Sequence, residues 1–354
     1  MPAPYDPTTT ISHWDAGLWS RILGASGILD PFTGRPFTEA MLAGLGGGIG
    51  FMIFTFEYKD ITTASVVTRF HPGPYVENML ARSGASVSIA QTASAKLARA
   101  RLDAALETGV PVVVRVVRGK LPWVAGDPLA DTDSMDVAVV ARDEETYLVD
   151  DGGGRLEPIA ALALAAARGS RKADKHWQAH VAPGAGNMLT REVVVEAVAQ
   201  TADALLARSA PPGVPPGYAK NFGIAGMKSW AHWLADTSSK RGWARVFGDP
   251  DRAAAGLGML HGLLAGRRYS GPGALRPLYA EFLQEVSSTV NGGAGAEAPI
   301  LEDAAAQYRR LGAHWDDLTA LVGADGQPDF AAMANAVEVI ADLEAEAART
   351  LQKS

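Results

Sequence analysis

Three consecutive residues near the N-terminus, His13, Trp14 and Asp15, combine side chains that can do chemistry at the predicted start of a helix. A histidine at a helix start could act as a general base beside a pocket, or it could lie on the surface. Trp14 could stack on a flat substrate or fill a core position. Asp15 could act as an acid or only stabilise the first helical turn, where the N–H dipoles favour a negative charge.

A glycine-rich run follows a short capped helix and precedes an apolar strand. Its centre, Gly46, Gly47 and Gly48, could present backbone N–H groups to an anion, or it could allow close packing of helix and strand. The run lacks the Lys-Ser/Thr pair of a phosphate loop and the preceding strand of a dinucleotide site. Glu57 and Tyr58 follow the strand and could line the same cleft as the glycines.

A second candidate binding segment lies in the C-terminal half, around a Gly-Pro-Gly turn between Tyr269 and Arg276. Arg276 stands at a predicted helix start, where its guanidinium could bind a carboxylate or phosphate group. A structural salt bridge would use the same side chain.

The composition excludes several kinds of site. The chain has no cysteine, so thiolate catalysis, disulfides and iron–sulfur clusters are excluded. Only His176 and His180 among the seven histidines are four residues apart, and no acidic ligand accompanies them, so we expect neither a metal nor another cofactor. No Gly-x-Ser-x-Gly segment marks a serine hydrolase.

The charge and hydropathy patterns bear on partners and location. A net charge of −7 and a pI near 5.5 argue against nucleic-acid binding, which needs clustered Lys and Arg. No apolar stretch reaches the roughly 18 residues of a membrane span, and the N-terminus does not read as a signal peptide. We therefore expect a cytoplasmic protein with no membrane or nucleic-acid partner, and a homodimer stays open.

Hydrophobic periodicity and capping residues predict an α+β domain over residues 1–175 and an all-helical domain over residues 176–354. In the first domain we predict helices at 12–24, 74–82, 92–108 and 158–168. The predicted strands lie at 49–56, 86–90, 111–117, 137–142 and 146–149. In the second domain we predict helices at 190–209, 223–238, 250–264, 274–290, 299–322 and 329–351.

The order of helix start, capped helix, glycine-rich loop and apolar strand resembles the N-terminal domain of the butirosin biosynthesis protein H family. That family is a branch of the papain-like cysteine-peptidase fold. The similarity continues in residues 108–123, 135–143 and 147–151. Residues 222–230 and 269–283 resemble the helical domain of unknown function that often accompanies this fold.

The resemblance implies roles for particular positions. The family opens its first helix with a His-Cys pair, which reads His13–Trp14 here. The family's strand histidine falls on Asp136, and the aspartate that orients it falls on Asp150 or Asp151. The resemblance thus implies a cleft in which Trp14 faces the strand at Asp136. In such a cleft Asp136 and Asp15 would form a carboxylate pair with one raised pKa.

The resemblance also implies a function. Family members are acyltransferases that pass an aminoacyl group from a carrier-protein thioester to an amine. We therefore expect a natural-product biosynthesis enzyme that has lost the nucleophile and uses acid–base and positioning catalysis for acyl transfer, condensation or cyclisation. Its substrate would be a small molecule or a carrier-bound acyl group. The alternatives are a non-catalytic protein that binds a carrier protein or partner enzyme, and a hydrolase.

Overall fold

The computed structural model describes residues 4–59, 61–124, 130, 134–171, 173–182, 189–268, 270–290, 297–323 and 327–353. Helices α1 to α12 span Trp14–Ala25, Glu39–Leu45, Tyr75–Ser83, Ala95–Leu106, Ala161–Gly169, Arg191–Leu206, Gly223–Ala235, Trp243–Val246, Pro250–Ala265, Arg276–Glu285, Ala298–Val322 and Phe330–Leu351. Strands β1 to β8 span Ile49–Glu57, Thr62–Arg69, Val87–Ala90, Val112–Val117, Ser134–Asp143, Thr146–Asp150, Leu156–Ala160 and Gln178–Val181.

The chain divides into two compact units. The sheet unit comprises the described residues of Met1–Thr38 and Ser83–Met188, and the helical unit those of Glu39–Arg82 and Leu189–Ser354. This grouping differs from the expected boundary at residue 175, because α2, the β1–β2 hairpin and α3 pack with the C-terminal helices. The grouping into compact units does not test where one sequence domain ends and the next begins. The domain boundary at residue 175 therefore stays a prediction.

The sheet unit is built on six antiparallel strands in the order β3-β8-β4-β5-β6-β7. Its central strand β4 is the β-branched run of the sequence, and five of its six residues are buried. Helices α4 and α5 pack on β4, where Leu102 and Leu164 join Val112 and Val114 in one core. The register of β4 and β5 sets Arg115 directly opposite Asp136.

In the helical unit, helices α6, α7 and α9 pack against the antiparallel β1–β2 hairpin. Its core is aromatic: the ring of Phe51 stacks on Trp230 at 5.9 Å and lies 6.0 Å from Trp315. The glycine-rich run is buried in this unit. Gly48 has φ +62°, and a Cβ at this position would overlap the ring of Tyr279, so the run permits close packing onto α10.

The structure confirms that the strands lie in the N-terminal part and that, among the described residues from 189 onward, the regular elements are helices. The predicted start of the helix at 158–168 was wrong, because Pro158 lies in β7 and helix α5 begins only at Ala161. Strands β2, β7 and β8 were not predicted. Strand β8, Gln178–Val181, lies within residues 176–354, so the prediction that this range is all-helical was wrong at its start. Among the described helices none has the length and apolar character that crossing a membrane requires.

Candidate functional site

Helix α1 sets Trp14 against the sheet. His13 occupies the N-cap position in extended conformation and is fully buried, and the helix begins at Trp14. The indole is 8% exposed, and its Nε1 donates a hydrogen bond of 2.8 Å to the carbonyl oxygen of Asp136. The structure therefore places the indole of Trp14 against strand β5 at Asp136, the residue that the family resemblance set opposite it.

A glycine on the neighbouring loop makes room for the indole. Gly152 has φ +76°, and a Cβ there would overlap the ring of Trp14. The loop is held by Asp150, whose Oδ1 accepts a 2.7 Å hydrogen bond from the N–H of Gly152. Trp14, Gly152 and Asp150 thus form one packed edge of the site.

We expect Gly152→Ala to lower the free energy of unfolding by about 1–3 kcal/mol, because a left-handed backbone and an overlap with Trp14 both oppose the new methyl group. Gly154→Ala is the matched control, since Gly154 also has positive φ, +85°, with open space around its Cβ position. Urea titrations of both variants measure the difference. Equal losses in the two variants would show that the contact with Trp14 contributes nothing.

The carboxylate of Asp136 is paired with a guanidinium across the strands. Arg115 donates from Nε to Oδ1 at 2.7 Å and from Nη2 to Oδ2 at 2.9 Å. Its Nη1 reaches Asp174 Oδ2 at 3.1 Å, and the guanidinium lies 4.5 Å from the ring centroid of Trp177. The side chain of Asp136 is 12% exposed and that of Arg115 is 32% exposed, so the pair is partly accessible to solvent.

Burial and neighbouring charges act on this pair in opposite directions. Burial raises the pKa of Asp136, the ion pair with Arg115 opposes the rise, and the negative charges of Asp15 and Asp174 add to it. The hydrogen bonds to Asp136 in turn raise the pKa of Arg115 above its ordinary value. Asp15 therefore lies close enough to Asp136 for the two carboxylates to interact.

Asp150 is fully buried and serves as an anchor for the N-terminal segment. Its Oδ2 accepts hydrogen bonds of 2.6 Å from the hydroxyl of Tyr5 and from Nη1 of Arg21. Burial raises the pKa of Tyr5, and the charge of Asp150 adds to this effect. The adjacent Asp151 accepts a 2.6 Å hydrogen bond from Trp123 Nε1.

The remaining predicted site residues belong to the helical unit. The glycines at 46–48 are buried, and Thr201 donates a 2.7 Å hydrogen bond to the carbonyl of Gly47. Glu57 and Tyr58 are exposed at the end of the β1 strand. Tyr269 lies outside the described residues. Trp14, Asp136 and Asp150 thus belong to the sheet unit, whereas Gly46, Gly47, Gly48, Glu57 and Tyr58 belong to the helical unit.

Arg276 is fully buried in the helical unit. Its Nε donates to Glu344 Oε1 at 2.5 Å, Nη1 donates to the carbonyls of Thr68 and Ala274, and Nη2 to that of Gly50. These contacts give the guanidinium the structural salt bridge that the sequence left as an alternative to ligand binding. An external anion would have to displace one of these partners.

Sequence reasoning missed Arg115, Asp174 and Trp177. Arg115 is the sole charge in the run Pro-Val-Val-Val-Arg-Val-Val, and a charge inside an otherwise apolar central strand is the signal that could have found it. Asp174 and Trp177 carry no such signal, because their role follows from the fold. Within the described part of the chain no three His, Asp or Glu side chains cluster as metal ligands.

Two family models match the chain. The one described as "Butirosin biosynthesis protein H, N-terminal" matches residues 24–152, and "Domain of unknown function (DUF4872)" matches residues 162–351, more than half of the sequence. The first match contains Asp136 and Asp150 and begins after Trp14. No curated protein matches the chain.

Proposed function

Because the chain belongs to the butirosin biosynthesis protein H-like family with its C-terminal domain of unknown function, we propose that it handles an acyl substrate in natural-product biosynthesis without forming a covalent acyl-enzyme. The family supports a role associated with biosynthesis. The contact of Trp14 with Asp136 is the observation that supports acyl transfer without a covalent acyl-enzyme. An indole has no nucleophilic atom that could attack a thioester.

As part of this proposal, the sheet unit has a papain-like fold. In such a fold the first helix brings a nucleophile at its N-terminus to a strand that carries the base. Helix α1 brings Trp14 to β5 at Asp136 in this way. Asp150 lies on the next strand, β6, where the aspartate that orients the base would stand.

We propose direct aminolysis as the reaction. The amine attacks the thioester carbonyl, a C–N bond forms, the C–S bond breaks, and one proton moves from nitrogen to the leaving sulfur. Asp136 would accept and return this proton, since a carboxyl group with a raised pKa suits both steps. Arg115, a third exposed, would stabilise the oxyanion with the N–H groups that it does not donate to Asp136 and Asp174.

One observation favours a second function, the binding of a carrier protein or partner enzyme without catalysis. The carboxylates of Asp136 and Asp150 are both engaged in ion pairs with arginines, at 2.7 and 2.6 Å. These ion pairs hold both carboxylates in place, and the buried indole of Trp14 fills space beside Asp136. In this function the site would bind the carrier protein or partner enzyme and would take no part in a reaction.

Intact-mass spectrometry during turnover tests the absence of a covalent step. We expect an aminoacyl thioester and an amine to give the amide with no acyl adduct on the protein. Pretreatment with iodoacetamide should leave the rate unchanged, because the chain has no cysteine. An adduct of the acyl mass on any side chain would overturn the proposal. Carrier-protein binding without any amide product would establish the second function instead.

A further inference from the structure

A pocket lies between the two long helices of the helical unit, α11 and α12, and opens to solvent. Its cavity volume is about 110 Å³. The lining residues of α11 follow one another at intervals of three or four positions or less, so they share one face of that helix. The pocket is lined by Gln307, Arg310, Leu311 and His314 of α11 and by Leu343 and Glu346 of α12.

The volume sets the size of the molecule that the pocket can hold. A cavity of about 150 Å³ is large enough for benzene, whereas a single water needs only about 10–15 Å³. The pocket of about 110 Å³ therefore has room for an organic molecule of about four to six non-hydrogen atoms. Any further atoms of a larger molecule would project into solvent.

The lining combines an apolar floor with charges of both signs. Leu311 is 1% exposed, and Leu343 is half-buried. Arg310 and Glu346 stand on different helices, and both are exposed. Within the described chain neither of these two side chains forms an ion pair, so both charges are available to a ligand. A cation and an anion at one small pocket match a ligand that carries both charges itself.

Gln307 and His314 complete the lining on either side of Arg310. The Nε2 of Gln307 donates to Asp303 Oδ2 at 2.9 Å and to Thr350 Oγ1 at 3.4 Å, and the second of these bonds links α11 to α12. Its amide is therefore held in place before any ligand binds. His314 is half-buried and lies one helical turn beyond Arg310, where its imidazole can donate to the same acceptor as the guanidinium.

We propose that this pocket binds a small zwitterion of the free amino acid class. The guanidinium of Arg310 would bind the carboxylate, with His314 as a second donor, and the carboxylate of Glu346 would bind the ammonium group. A short apolar side chain would lie on Leu311 and Leu343, and the volume limits it to about the size of a methyl group. The inference does not depend on the proposed chemistry, because that chemistry concerns the sheet unit and the pocket belongs to the helical unit.

Proton NMR of the histidine side chains tests the site, because the imidazole of His314 lines the pocket and its signal reports occupancy. Alanine is the test compound, added at constant pH and ionic strength. We expect the Cε1–H signal of His314, assigned by its loss in His314→Gln, to shift saturably with alanine. Propionate and ethylamine each carry only one of the two charges, so each should bind at least about tenfold more weakly than alanine.

Arg310→Gln and Glu346→Gln should each weaken the binding of alanine by at least about tenfold, because each removes one charged partner of the zwitterion. Both residues are exposed, so neither substitution should prevent folding. Arg309→Gln and Glu338→Gln are the matched controls, since these residues are exposed on the same two helices and do not line the pocket. Both controls should bind alanine as tightly as the wild type does.

Three results would overturn the inference. The first is a His314 signal that shows no saturable shift with alanine. The second is binding of propionate or ethylamine as tight as that of alanine, because one charge would then suffice. The third is an equal loss of affinity in Arg310→Gln and Arg309→Gln, since a general effect of surface charge would then explain the binding.

Discussion

Arg276→Met is expected to lower the free energy of unfolding by about 3–5 kcal/mol, the usual cost of removing one partner of a buried ion pair. The substitution leaves the carboxylate of Glu344 fully buried without its cation. It also removes the donors of three carbonyl groups, at Gly50, Thr68 and Ala274. Urea titration followed by the helical circular dichroism signal measures the loss.

The double variant Arg276→Met/Glu344→Met separates the charge from the hydrogen bonds. Removing both charges abolishes the uncompensated carboxylate, so the double variant should be more stable than Arg276→Met alone although it carries one more substitution. It should stay below the wild type, because the carbonyl groups still lack donors.

The exposed pair between Lys228 and Asp342 gives the control, and Lys228→Met should have little effect. Glu344→Met alone completes the comparison, and a double variant whose loss of stability equals the sum of the losses in Arg276→Met and Glu344→Met would contradict the charge argument.

The positions of the helices could be predicted because their signals are local. Asp249 and Asp329 accept hydrogen bonds from the backbone at the starts of α9 and α12, as their capping positions indicate. Strand β7 was misread for an equally local reason. Pro158 is typical of the first helical turn, but a proline is also tolerated in an edge strand, and β7 is the last strand of its sheet.

Contacts between distant segments could not be predicted. The grouping of residues 39–82 with the C-terminal helices depends on close approaches such as that of Gly44 to Phe282. The partner of Arg276 is 68 positions away, so the sequence left ion pairing and ligand binding equally open. The resemblance indicated that Trp14 faces Asp136, whereas the ion pair of Asp136 with Arg115 followed only from the strand register.

Asp136→Asn is expected to reduce aminoacyl transfer by about 10²–10⁴-fold, because the amide cannot accept the proton that the attacking amine loses. The loss should appear in kcat, since the asparagine keeps the size of the side chain and can still accept a hydrogen bond from Arg115. Steady-state rates with an aminoacyl thioester and an amine measure it.

Asp103→Asn is the matched control that distinguishes chemistry from stability. Asp103 belongs to the same unit, is 17% exposed, and forms an ion pair with Arg142 at 2.7 Å, so it resembles Asp136 in burial and pairing. Both variants should lose similar stability, and only Asp136→Asn should lose turnover. Equal reductions of turnover would assign Asp136 a structural role. An unchanged rate in Asp136→Asn would remove it from the reaction and leave binding as the function of the site.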